Sequence, residues 1–148
     1  MRLRFEGHSS FEEVDKIVHE IMSNISNDLP VEYGDIIFNV TIALRELLNN
    51  AVEHGNNMDI KKTIICELSC DERTLCIKIT DQGLGFDISN VIDKLYTKPL
   101  DRQRRRGIFM VKNLGFIVES VGSQVIAKLN INRECENWGD ECGCQYKR

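Results

Sequence analysis

Three residues within ELLNNAVEHG, residues 46–55, are of types that do chemistry. Glu46, Asn50 and His54 recur at every fourth position, so a helix carries a carboxylate, an amide and an imidazole along one face. Two readings of that face stand open. One is a solvated helix side with an incidental amide. The other is a metal–phosphate site, because the neutral oxygen of Asn50 suits Mg²⁺, which takes few protein ligands and keeps waters and phosphate oxygens. Glu46, one turn earlier, is then placed to accept a proton from an attacking hydroxyl. His54 reads either as a partner of that site or as a C-terminal helix residue favoured by the helix dipole.

Two further segments carry chemistry. Asp81-Gln82-Gly83-Leu84-Gly85-Phe86 directly follows a strand-like KIT. An Asp at a sheet edge accepts hydrogen bonds from an exocyclic amine, and the glycines let backbone come close to a ligand. Taken alone, this pattern is also a plain turn. Thr97-Lys98-Pro99 then opens a basic stretch that includes RQRRR, residues 102–106, and reaches Gly107. The stretch reads as an irregular loop over 96–106 feeding a helix that begins near Gly107. A helix N-terminus favours anions, and Lys and Arg add charge for phosphates. The competing reading of such a charge run is a solvated loop.

These residues need elements to hold them. The chain has 148 residues, 42% hydrophobic and 28% charged, as expected of one soluble globular domain with a real core. Alternation in RLRFE, residues 2–6, predicts a first strand. Ser9 or Ser10 caps a helix reaching about Ser26, with Val14, Ile17, Val18, Ile21 and Ile25 on its apolar face. Asn27 to Pro30 breaks it. A second helix spans about Glu32–His54, buries Ile36, Val40, Ala43, Leu44, Leu47, Leu48 and Ala51, and ends at Gly55 as C-cap. Strands at about Lys62–Ser69 and Thr74–Thr80 form a hairpin turned at Asp71-Glu72-Arg73. A short helix near Ser89–Leu95 and the Gly107–Gly115 helix follow, then a strand pair, Phe116–Ser120 and Gln124–Ile131. The order predicts an α+β, two-layer sandwich: a mostly antiparallel mixed sheet with helices on one face. Residues 1–131 form the domain and 132–148 a polar tail.

Composition also narrows the function classes. A net charge of −4 implies no general affinity for nucleic acid. No apolar run approaches the ~20 residues of a membrane span, and MRLRFEGHSS lacks the apolar region of a signal peptide, so a cytoplasmic location is expected. Cys66, Cys70 and Cys76 sit in strand-like segments as small hydrophobes. The tail cysteines Cys135, Cys142 and Cys144 have a C-x6-C-x-C spacing that is not a standard zinc pattern. His19 lies on a helix surface, and His8 carries no signal.

Taken together, ExxxNAxxHG, then DxGxG after a strand, then a basic lid ending in Gly and three apolar residues, the sequence resembles the GHKL ATPase superfamily with its Bergerat fold. The resemblance covers roughly residues 3–131 and is closest to bacterial anti-sigma-factor serine/threonine-protein kinases. It implies ATP and Mg²⁺ as cofactors, Glu46 as general base and Asn50 as metal ligand. Asp81 would accept from the adenine amino group, and Gly83 and Gly85 would let backbone pass the nucleotide. His54 and Ser123 would lie at the nucleotide site. Lys98, Arg104 and Arg105 would meet phosphates, and the Gly107 N–H would bind phosphate at a helix start.

The implied function is transfer of the γ-phosphoryl group to a small STAS-type antagonist protein, coupled to sequestration of a sigma factor and hence to transcription regulation. Such proteins often form homodimers. Two positions depart from the family pattern: Arg105 replaces the first glycine of the lid's Gly-x-Gly, and Gly122-Ser123-Gln124 replaces Gly-Thr-Thr. Two other functions compete. One is a nucleotide-responsive partner-switching module without phosphotransfer, which Arg105 favours. The other is an ATPase in which Glu46 activates water, against which the short chain argues.

Overall fold

The computed structural model describes residues 1–28, 34–85, 88 and 99–131. The expected Ser89–Leu95 helix, Lys98, much of the break before the second helix and the cysteine tail lie outside the described residues.

Strand β1 (Arg2–His8) runs two residues past its predicted end, because the alternation of exposed Arg2, Arg4, Glu6 and His8 continues to its last residue. Helix α1 (Phe11–Asp28) starts at Ser10, whose Oγ accepts the Glu13 N–H at 3.2 Å. That resolves the choice of cap, since satisfying a free first-turn donor is what a cap does. The five predicted apolar residues of α1 are all buried.

Helix α2 (Gly34–Asn50) is shorter than expected. Its continuation, Ala51–Gly55, is a single π-turn, closed by the Asn56 N–H on the Ala51 carbonyl at 2.8 Å. A π-turn spaces its bonds five residues apart instead of four and tends to mark functional sites. Gly55 is therefore the last residue of this turn and not the C-cap of an α-helix.

Strands β2 (Thr63–Cys70) and β3 (Thr74–Thr80) form the predicted hairpin. Asp71 Oδ1 accepts the N–H groups of Arg73 and Thr74 at 2.8 and 2.7 Å, which holds the turn. Helix α3 (Pro99–Asn113) is the largest departure from the sequence reading. The stretch expected to be an irregular loop up to Arg106 is helical from Pro99 onward. Proline is pre-set for the first helical position, and Gln103 to Arg106 are good helix formers with no glycine among them. Gly115, at φ 96°, follows the helix end. Strands β4 (Ile117–Val121) and β5 (Gln124–Asn130) close a hairpin around Gly122, whose φ is 58°.

The sheet order is β1-β2-β3-β5-β4, and each described pairing is antiparallel. The inward side chains of the central strands, including Ile64, Cys66, Leu68, Leu75, Ile77 and Ile79, are fully buried beneath the helices. Helix α2 packs against both α1 and α3. The fold is thus the expected α+β sandwich. No helix among the described residues is long and apolar enough to cross a membrane.

Candidate functional site

Helix α2 turns Glu46 and Asn50 toward α3. A Cβ placed on Gly107 would lie 2.7 Å from Glu46 Oε2 and 3.2 Å from Asn50 Nδ2. Both polar groups therefore converge on one bare point of α3. Asn50 Nδ2 is buried without a hydrogen-bond partner among the described residues. A buried donor left unmade costs about 1–3 kcal/mol, so such an atom marks a place where a ligand is missing from the balance. Rotating the amide by half a turn presents its oxygen instead, the atom a hard cation takes. Among the described residues no three His, Cys, Asp or Glu side chains gather to hold an ion. A cation at Asn50 would draw its other ligands from phosphate and water.

The predicted line of three polar residues stops at Asn50. The π-turn takes His54 out of the four-residue repeat. Its side chain is 8% exposed, and Nε2 lies 3.5 Å from Glu53 Oε2.

Asp81 sits at the end of β3 and is 8% exposed. Its N–H donates to the Ser123 carbonyl at 3.1 Å, and its Oδ1 accepts the Gly83 N–H at 2.8 Å. Burial raises its pKa above the ordinary 3.8, while the Gly83 hydrogen bond and the charges of Arg104 and Lys62 draw it back. A Cβ on Gly55 would collide with this carboxylate, and one on Gly83 would collide with the Gly55 carbonyl. Gly85, at φ 78°, passes so close to the Gly122 carbonyl that a side chain has no room there. At Gly83 and Gly85 the absence of a side chain is required by neighbouring backbone of the protein itself. Ser123 contributes its carbonyl to Asp81.

Asn56 and Gln82 complete the site without having been singled out in the sequence. Asn56 is fully buried. Its Nδ2 donates to the Thr63 carbonyl at 2.9 Å, and its Oδ1 accepts the Gln82 N–H at 2.8 Å. Gln82 Oε1 in turn accepts the Thr63 N–H at 2.7 Å. This ring ties the end of the π-turn to the start of β2 and to the residue after Asp81. In the sequence, Gly55-Asn56-Asn57 reads only as a turn, and nothing in it reports burial.

The basic stretch is placed differently from its prediction. Gly107 lies inside α3 rather than at its start, and an interior N–H is bonded to the carbonyl four residues back. The expected phosphate-binding amide is therefore taken up by the helix ladder. Arg104 and Arg105 are half-buried. Arg104 faces a cavity with Asp81 and Asn50, whose apolar walls are Leu47, Ala51, Ile79, Ile108 and Val125. The chemistry of that wall suits a flat, largely apolar ring bearing an amine at the Asp81 end. The cavity volume, with α3 in this position, is only about 10 Å³.

A family model described as a histidine kinase-like ATPase domain matches residues 8–126. No curated protein matches the chain.

Proposed function

The chain belongs to the histidine kinase-like ATPase domain family, and from that premise we propose that it is a Mg-ATP-dependent serine/threonine-protein kinase of the anti-sigma-factor type. ATP binding goes with the family. The finer reading is supported by one observation: Glu46 and Asn50 converge on the same point of α3, while Asn50 and Asp81 line one cavity. That arrangement supports reading Glu46 as a base, Asn50 as a metal ligand and Asp81 as the carboxylate that recognises adenine.

When bound, Mg-ATP supplies a phosphoryl group whose charge the metal helps to neutralise. Asn50 would offer its oxygen to the metal. Asp81 would accept from the adenine amine, which fixes the nucleotide's orientation. Glu46 would take the proton of a serine or threonine hydroxyl as that oxygen forms its bond to phosphorus and ADP departs. The recipient in this reading is a small STAS-type antagonist, and the same surface would hold a sigma factor until the antagonist arrives.

The test is transfer of labelled phosphate from ATP to a STAS-type domain. Glu46→Gln should abolish transfer while leaving ATP affinity within about threefold, since the carboxylate acts on the transferred group and not on binding. Persisting transfer in that variant would refute the assigned base.

A second reading is favoured by Arg105 and by the small cavity. In it, the domain is a partner-switching module that binds nucleotide without transferring phosphate. A co-purified partner free of added phosphate, with nucleotide-dependent release, would select it.

A further inference from the structure

The ladder between β2 and β3 gains one more rung beyond Thr80, made by side chains. The outermost direct pair is Ile65↔Thr80, and the same register continued by two residues sets Thr63 opposite Gln82. A hydrogen-bonded antiparallel pair exchanges N–H and carbonyl groups directly. Here amide side chains stand in the exchange. The Gln82 N–H donates to Asn56 Oδ1 at 2.8 Å, and Asn56 Nδ2 donates onward to the Thr63 carbonyl at 2.9 Å. The Thr63 N–H donates to Gln82 Oε1 at 2.7 Å, so a side-chain oxygen serves where a main-chain oxygen would. Both halves of the exchange are made, and each is lengthened by an amide.

Asp81 lies between the last direct pair and this wide rung. Its N–H is held by the Ser123 carbonyl at 3.1 Å, and its Oδ1 takes the Gly83 N–H at 2.8 Å. Gly55 lies so close to the carboxylate that a Cβ there would collide with it. Gln82 follows Asp81 and Asn56 follows Gly55. The rung therefore ties the residue beside the carboxylate to the residue beside its nearest neighbour. Hydrogen bonds weaken steeply as their angle closes, and a recognition group must be held to within about 0.5 Å of its working position.

Building on the nucleotide reading above, we propose that Asn56 and Gln82 are positioning residues for base recognition: the side-chain rung fixes the Asp81 carboxylate against Gly55, and the preference for a purine bearing an exocyclic amine depends on it. A tie that only stabilises the fold would leave that preference untouched. A positioning tie acts on the amine alone, because every other contact of the nucleotide is shared by a purine that lacks it.

The experiment is calorimetric titration of ATP and of purine riboside triphosphate, which lacks the amine, into wild type, Asn56→Ala, Gln82→Ala and Gln82→Glu. Gln82 is exposed, so its variants keep the fold whatever Asn56→Ala does. Wild type should prefer ATP. In Gln82→Ala, ATP affinity should fall at least about fivefold while affinity for the other nucleotide stays within about twofold. Gln82→Glu keeps an oxygen for the Thr63 N–H and should restore the preference. An equal loss for both nucleotides, or an unchanged preference in Gln82→Ala, would overturn the positioning role and leave the nucleotide site standing. Equal binding of the two nucleotides by wild type would overturn it together with the role of Asp81. No binding of either by wild type at millimolar concentration would overturn the nucleotide reading itself, and the proposal with it.

Discussion

Asp81 shows how a single side chain carries opposing demands. In the proposed function Asp81 accepts from an amine as a carboxylate, yet burial favours the neutral acid and raises its pKa. The folded chain therefore holds the proton more tightly than the unfolded chain does. Below the ordinary value of 3.8 the group costs nothing; as pH rises through the raised folded value, stability is lost. Asp81→Asn keeps an oxygen for the Gly83 N–H and removes the buried charge. The variant should be more stable than wild type at pH 7, with the gain shrinking toward zero as pH falls below about 4. Denaturant melts across that range would check this, and a gain that persists in acid would contradict it. The same variant should bind ATP more weakly. Glu46, Asn50 and Asp81 were legible in the sequence because charged or amide groups on otherwise apolar faces are unusual. Asn56 was not legible, because its role is defined by backbone groups at Thr63 and Gln82, and the second lies 26 residues away.

At the scale of elements, the site is a junction rather than a pocket cut into one segment. The π-turn, the start of β2 and the loop after β3 meet at Asn56. Asn56→Ala would leave the part-buried Thr63 carbonyl and Gln82 N–H without their side-chain partner, so a loss of about 1–3 kcal/mol is expected. Equilibrium unfolding measures it, and a change below about 1 kcal/mol would mean that other groups hold the junction. Strands and amphipathic helices were readable because periodicity of two or of about 3.6 reports which face is buried. Helix α3 was misread for a physical reason. Its charged first half looks like a loop by composition, but Pro99 and the glycine-free run to Arg106 are good helix material. Charge told of solvent, and propensity told of helix; propensity decided the backbone. The π-turn had no sequence signal at all, since ELLNNAVEHG continues an α-helical pattern without interruption.

Across the whole molecule, two layers share one core, and Cys66 lies at its centre. It pairs with Phe5 on one side and Ile79 on the other in the middle of the sheet. Burial pushes its thiol up to about 12, with the neighbouring Glu67 charge adding to the effect. At pH 8 the reactive thiolate is thus roughly one part in ten thousand. Alkylation of Cys66 should proceed only through global unfolding, so its rate should rise with denaturant as the unfolded population does. Rapid labelling in native buffer would show that the sheet opens locally. The sandwich was predictable from element order, whereas the sheet order β1-β2-β3-β5-β4 rests on pairings between distant segments. The π-turn joins these layers, and it sets a rule about chain length. Removing one residue from 51–55 would restore an α-helical turn and swing everything after it by about 100°. Asn56 would then face away from Thr63 and Gln82, and Gly55 would leave the Asp81 carboxylate. This segment should therefore accept almost no insertions or deletions, and its residue count should be inherited as strictly as the glycine that ends it.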